Sequence, residues 1–416
     1  MPRALVVGGG VAGPVVAMAL QRAGWDTTVH EAYPHVTDGV GAWLGVQVNG
    51  LDALRAIEAD EPLVAAGFPT PEISFVNGRG KPLGTTSTGT PRPGASGGVS
   101  MKRSDLYRVV HGEALRRGID LRYSSTLVDA ETTATGVTAR FADGSTDTAD
   151  LLIGADGVRS RVRTVLDPQA PAPRYVPVLN VAGFSDHQVP GAQVGHLTMI
   201  FGRRVFVGYL PAPDGTTWWF ANPPHLREPA PGEIGAITDA QWRQRLRDLL
   251  AEDDSPALAL VEATPGELRG WTTYDLPSVP VWQGERMVLI GDAAHATSPA
   301  AGQGTSMAIE DAVVLAQCLR DLPVFAALAH YEGLRRARVE KVVASGARMS
   351  SGKLPNVAAR TGRDLLMPVI MRRVARRGGG PLSWAQHHHI DWDAPVRPGT
   401  TVSTGREETE ANPQPG

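Results

Sequence analysis

The ten residues from Ala4 to Gly13 constrain this chain more than any other stretch of their length. Four apolar residues, Ala4 to Val7, run into Gly8, Gly9 and Gly10, and Gly13 completes a GxGxxG spacing. An apolar helical run follows, and Thr28 to Glu31 then reads as a second strand. In such a unit the first glycine turns the chain, the second admits a pyrophosphate against the backbone, and the third lets the helix pack on the strand. The helix start, where Ala12 sits, offers unpaired N–H groups and the positive end of a dipole to an anion. Glu31, roughly 20 residues on, is placed to accept hydrogen bonds from a ribose diol. A secretory leader would share Arg3, the apolar run and the small residues Ala17 and Ala19. It would not end in an acidic residue closing a strand–turn–helix–strand unit of about 30 residues.

Two later segments repeat the theme of a strand meeting a tight turn. Leu151 to Gly154 leads through Ala155, Asp156 and Gly157 to Ser160 and Arg163. Met287 to Ile290 leads through Gly291, Asp292 and His295 to Pro299, Gly302, Gln303 and Gly304, and then into an expected helix Met307–Leu319. Either alone could be an ordinary parallel strand with its turn. In this order and at these intervals, the three segments resemble the single-component FAD-dependent monooxygenases of the aromatic hydroxylase type, the group that includes para-hydroxybenzoate hydroxylase and the tetracycline-inactivating enzymes. The likeness runs from the first strand to about residue 354.

That resemblance implies a noncovalently bound FAD, since no histidine or cysteine stands in an evident attachment motif. It implies that Asp156, with Ser160 and Arg163, shapes the FAD and nicotinamide regions, and that Gly291 and Asp292 meet the ribityl chain. Arg103, in the run Lys102 to Leu106, matches the family arginine that approaches the flavin from a helix start. Leu127 falls where the family makes backbone contacts to adenine. Two positions depart from the pattern: Ala32 follows Glu31 where many members have arginine, and Ser306 stands where many have asparagine. Neither touches the glycine skeleton. In the family, NAD(P)H reduces FAD, and O2 adds to give a flavin C4a-hydroperoxide that oxygenates an electron-rich substrate. The single GxGxxG unit suits a nicotinamide cofactor that binds transiently outside a domain of its own.

A reduced flavin carries negative charge around N1, and a helix beginning near Gly302, Gln303 and Gly304 would aim N–H groups at it. Pro299 and Asp292, just upstream, favour this loop as part of the site over a merely flexible start to the helix.

The expected fold class is α/β: a Rossmann-like FAD-binding domain with an interleaved antiparallel-sheet substrate domain and a C-terminal helix. Residues 1–72, 98–170 and 275–325 are assigned to the FAD-binding domain, and 73–97 with 171–274 to the substrate domain. A helical segment is expected over 326–395 and a disordered tail over 396–416. Short strands are expected at Val194–Phe201, Val205–Leu210 and Thr217–Phe220, with an amphipathic helix over 241–252. The chain of 416 residues has room for two domains, and a formal charge of −3 gives no reason to expect a nucleic-acid partner. Cys318, the lone cysteine, reads as a buried structural thiol, and a cytoplasmic location without membrane attachment is expected. His387, His388 and His389 read as a surface run rather than a metal site, because contiguous side chains share neither a helical nor a strand face. Oligomeric state is left open.

Substrate recognition is less defined. Alternation puts Val205, Val207 and Tyr209 on one strand face, and Trp218 with Phe220 on one face of the next strand. Tyr209, Trp218 and Phe220 are candidates to line a pocket for a small molecule, with sheet-to-helix packing as the competing role. His196, Arg204 and Tyr209 are candidate proton-transfer or anchoring groups, structural roles being favoured, and no general base is assigned. The resulting expectation is an NAD(P)H- and O2-dependent hydroxylase of an aromatic or polycyclic hydrophobic small molecule. A non-oxygenating flavin oxidoreductase (a reductase, dehydrogenase or halogenase) is the alternative, with a non-enzymatic FAD-binding protein behind it.

Overall fold

The computed structural model describes residues 1–35, 42–351, 357–376, 380 and 382–397. Among these, the first strand, Arg3–Val7, lies in the middle of a five-stranded parallel sheet. The strand order is Met287–Leu289, Leu151–Gly154, Arg3–Val7, Asp26–His30, Asp120–Arg122. Helices cover such a sheet on both faces, which is why its central strands read as unbroken apolar runs rather than as alternation. Helix Ala12–Arg22, apolar nearly all round, is buried between this sheet and the long helix Gly304–Asp321. Cys318, on the latter helix, is fully buried, and burial pushes its thiol up to about 12.

A seven-stranded sheet forms the second layer, in the order Gly270–Asp275, Arg174–Ser185, Thr217–Asn222, Phe206–Pro211, His196–Phe201, Glu72–Asn77, Pro82–Ser87. It is antiparallel except where Glu72–Asn77 runs parallel to His196–Phe201. That pair joins strands from two separate passages of the chain, so no hairpin dictates their sense. The expected strand from Val194 starts instead at His196, because Gly195 takes φ +78 and lies so close to Pro69 that an added Cβ would fall 2.3 Å from its carbonyl oxygen. The twelve-residue strand Arg174–Ser185 escaped sequence analysis, since a register shift between Val176 and Leu179 breaks its alternation.

One face of this sheet is packed by helix Asp239–Leu250, which Thr238 and Gln241 start with a reciprocal capping box. Trp219, Trp242 and Leu246 are buried there. A small three-stranded sheet, Trp43–Val46, Val99–Lys102 and Phe68–Pro69, connects the two layers.

The C-terminal region begins earlier than its sequence suggested: helix Val324–Ser351 starts ahead of Tyr331. A second helix, Val357–Arg376, packs on the sheet edge at Pro82–Ser87, with Asn77 Nδ2 donating to Asp364 at 2.8 Å. Most of the glycine linker near 378–381 and the expected tail from 398 onward lie outside the described residues. No helix among the described residues is long and apolar enough to cross a membrane.

Candidate functional site

The three strand–turn segments meet at one end of the parallel sheet, and the glycines divide the work among them. Gly8 has φ +107, and a Cβ there would fall 2.4 Å from the Ala155 carbonyl oxygen, so the first turn presses against the second. At Gly13 a Cβ would stand 1.9 Å from the Gly8 carbonyl, the close approach of helix to strand that the motif requires. Gly10 is different. A Cβ added there meets nothing, and the open space faces a cleft of about 390 Å³ lined by Gly9, Glu31, Tyr107 and His111 among others. No acidic side chain stands in the first turn of helix Ala12–Arg22. An anion at the helix start therefore finds N–H groups and no acidic side chain from the helix's own first turn.

Glu31 closes the other side of the cleft, accepting from Gly9 N at 2.5 Å and Tyr33 N at 2.9 Å. The segment bearing Leu127 runs alongside: Ser125 N donates to the Glu31 carbonyl at 2.8 Å, and Leu127 is buried at the start of the next strand. His111 was not anticipated. It is buried on helix Arg103–Arg116, with Nε2 against the Gly9 carbonyl and Nδ1 2.8 Å from the Tyr123 hydroxyl, and so it braces the glycine turn from behind. A histidine in mid-helix gave no sequence signal for this.

Asp156 spends its carboxylate on its own turn. It accepts from Ser160 Oγ at 2.5 Å, Arg161 N at 2.7 Å and Val162 N at 3.0 Å, and thereby caps the short helix Arg161–Leu166. Arg163, buried on that helix, reaches the Ala293 carbonyl at 2.9 Å and ties the second turn to the third.

Gly291 has φ +59 and sits where an added Cβ would be 3.4 Å from Ala12 and 3.1 Å from Ala308. Asp292 follows, exposed and without a hydrogen bond or ion pair among the described residues. Crowding by protein atoms raises its pKa, and the positive fields of His295 and Arg103 pull it back. Further on, the positive φ of the GQG loop belongs to Gly302, at +59, whereas Gly304 already opens the helix Gly304–Asp321. Pro299 begins a single 3-10 turn before it. Gln303 points inward, its Oε1 accepting from Asn49 at 3.1 Å, so only its backbone faces the loop. Ser306 is explained by its neighbour: it accepts from Gln47 N at 3.0 Å, and Gly50 packs so tightly on it that a Cβ would come within 2.7 Å of its hydroxyl.

Behind this loop lies a buried ionic network that the sequence did not reveal. Arg335 donates to Asp311 at 2.7 Å and to Glu310 at 2.6 Å, Arg338 donates to Glu310 at 2.8 Å, and Asp311 accepts from Gly291 N at 2.9 Å and from His295. Burial alone would raise the Glu310 and Asp311 pKa values. The arginines, with His295 beside Asp311, outweigh it and hold both carboxyls down at about 2. The turn carrying Asp292 is thus fastened to the long C-terminal helix. His388 also approaches this network, 3.9 Å from Glu310, and burial drives its pKa down to about 4. His389 pairs with Asp52 at 2.7 Å yet stays exposed, as does His387, so the expected surface run is interrupted only at half-buried His388, and among the described residues no cluster suited to a metal occurs.

In the seven-stranded sheet the strands separate residues that sequence analysis had grouped. Tyr209 pairs with Trp219 and packs into the helix-covered core, on the face opposite Trp218 and Phe220. Because Gly208 faces Phe220 in the register, the face opposite the helices collects Trp218, Phe220, Phe184, Phe68 and Trp43. Three of these rings, Trp43, Phe184 and Phe220, remain half-buried. His196 bonds Ser74 at 2.8 Å and Arg204 the Asp248 carbonyl at 2.8 Å, both away from this face.

A dinucleotide cradle joined by a small sheet to an aromatic surface is the arrangement of FAD-binding hydroxylases. The chain belongs to that class through the FAD binding domain family, whose match spans residues 2–345. It is 32% identical over 370 residues to the aurachin C monooxygenase/isomerase of Stigmatella aurantiaca, across 87% of this chain and 93% of that protein. It is likewise 32% identical over 389 residues to 3-amino-4-hydroxybenzoate 2-monooxygenase PtnB3 of Streptomyces platensis, across 89% and 93%. Among solved structures, Klebsiella pneumoniae HpxO complexed with FAD and uric acid superimposes with a TM-score of 0.80 at 25% identity, over 92% of this chain and 98% of that one. The cofactor is FAD, and the enzyme is one of the FAD-dependent monooxygenases.

Proposed function

We propose that this enzyme uses NADH or NADPH and O2 to hydroxylate an aromatic or polycyclic hydrophobic small molecule held against the face of Trp218 and Phe220. The observation that carries this reading is the half-buried aromatic face itself, linked by strand Val99–Lys102 to the helix start at Arg103 whose charge reaches Asp292. The residues present fit FAD: Gly10 leaves room at the glycine turn, Glu31 borders the cleft, and Asp292 offers an uncommitted carboxylate. In this reading Gly8, Gly10, Ala12 and Gly13 hold the pyrophosphate, Glu31 the ribose and Leu127 the adenine through its backbone. Arg103, Asp156, Asp292, Pro299, Gly302, Gln303 and Gly304 surround the ribityl chain and ring. When bound, FAD supplies electron transfer from the nicotinamide and activation of dioxygen, by the C4a route of its family.

The protein's own part is to position and to exclude water. N–H groups at the start of helix Gly304–Asp321 favour negative charge on the ring, and the aromatic face excludes water from the reacting centre. The test is turnover in labelled dioxygen with a panel of aromatic substrates. A substrate should accelerate NAD(P)H oxidation and gain one labelled oxygen atom, while oxidation without substrate stays slow and yields hydrogen peroxide. Products free of label would replace this reading with a non-oxygenating flavin oxidoreductase.

A further inference from the structure

Strand Val99–Lys102 ends where helix Arg103–Arg116 begins, and the two basic residues at this junction have different neighbours. Arg103 donates to the Tyr107 hydroxyl at 2.8 Å, and its charge acts on Asp292. Lys102 sits against the aromatic face. Its Nζ lies 4.9 Å from the ring centroid of Phe184 and 6.0 Å from that of Trp218, and its cross-strand partner is Trp43.

The Lys102 ammonium makes no hydrogen bond or ion pair among the described residues, and the side chain is half-buried. Asp214 is the carboxylate that feels it, yet Asp214 is committed to its own turn. It accepts from Thr216 Oγ1 at 2.6 Å and Thr216 N at 3.0 Å, bonds that lower its pKa more than Lys102 does. Ring faces attract a cation, but they leave its three N–H donors unused. A second donor is idle nearby: the indole N–H of Trp43, whose ring lies 6.0 Å from Trp218 and 5.9 Å from Phe220, is buried without an acceptor among the described residues. A half-buried ammonium and an unpartnered indole N–H, both at the border of an apolar face, leave a local excess of donors. An anionic oxygen would satisfy it.

We propose that Lys102, with Trp43 beside it, forms an anion subsite that anchors a carboxylate oxygen of the aromatic substrate. The assignment rests on the aromatic face being the substrate surface, and it narrows the substrate class from hydrophobic aromatics to aromatic acids. Lys102 acts as a specificity residue: it orients the ring through a charged substituent and takes no part in oxygen transfer.

Calorimetric titration of the FAD-loaded protein with 3-amino-4-hydroxybenzoate and with its methyl ester tests this without turnover. The wild type should prefer the acid. Lys102→Met should weaken the acid by about 10- to 100-fold, the range of a charge-assisted hydrogen bond, with little change for the ester and none in FAD content. Lys102→Arg should restore most of the preference. Equal loss for acid and ester, an unchanged preference in Lys102→Met, loss of FAD from that variant, or failure of the acid to bind the wild type would each overturn the assignment. The labelled-oxygen experiment reads the reaction and this titration reads the anchor, so one can fail while the other succeeds.

Discussion

The cradle around Gly8 and the aromatic face around Trp218 are built on opposite principles. In the cradle nearly every polar group is committed: Asp156 to its own helix, Asp311 to Gly291 and Arg335, Glu31 to Gly9. Its spacing is set by backbone contacts that no side chain larger than hydrogen survives. The aromatic face holds rings in tilted and edge-on contact, with few hydrogen bonds to fix them. A surface held by apolar area accepts other apolar shapes at modest cost, whereas a satisfied polar network does not. On the proposed function, the common chemistry therefore sits in the rigid half and the choice of substrate in the compliant one.

The harshest way to break this contrast is to remove Arg335, which is 1% exposed. Arg335→Met takes the shared guanidinium from two buried carboxylates, leaving Glu310 only Arg338 and Asp311 only His295 as charged neighbours within the network, and should cost about 3–5 kcal/mol, visible as a large fall in melting temperature. The sign with pH follows from the depressed pKa values. Glu310 and Asp311 contribute stability in full above their ordinary values of 4.5 and 3.8, and the contribution is lost as pH falls toward about 2. The gap between wild type and variant should narrow over that window, and a constant gap would count against the ion pairs as its source.

Gly13→Ala comes next, since its Cβ would meet the Gly8 carbonyl at 1.9 Å. Overpacking of this kind costs about 1–3 kcal/mol, and it should show as lost FAD together with lower stability. Asp292→Ala removes a carboxylate with no structural partner, so the fold should hold while FAD affinity drops by about one to two orders of magnitude. Fluorescence of released flavin measures both variants, and unchanged retention in Asp292→Ala would remove that residue from the site. At the small end, Phe220→Leu, at a half-buried ring of this face, should leave FAD content unaltered and shift only KM and the yield of product per NAD(P)H consumed. Loss of FAD from that variant would show the two halves to be less separate than described.

The cradle was legible in sequence because its requirements are backbone requirements. A positive φ at Gly8 and a forbidden Cβ at Gly13 leave glycine as the residue, and the spacing survives in the letters. What escaped depends on distant partners. Glu310 and Asp311, adjacent acids on a helix, give no sign in the sequence of being buried; only Arg335 placed against them shows it. Tyr209 parts from Trp218 only through the register that pairs it with Trp219. The left-handed position of the loop also could not be chosen between Gly302 and Gly304, because only the structure shows which glycine precedes the helix.

Strand Arg3–Val7 precedes in the chain every other strand of its sheet but stands at the centre of it, and that order governs when the cofactor can be held. Its neighbour Leu151–Gly154 leaves the ribosome well after it, Met287–Leu289 later still, and Arg335, which fixes the Gly291 turn through Asp311, after them all. While these later segments are awaited the nascent chain carries a glycine turn with nothing to close it, and it must shelter an apolar central strand. Flavin capture becomes a late event in the protein's life, and chains arrested before Arg335 should emerge colourless.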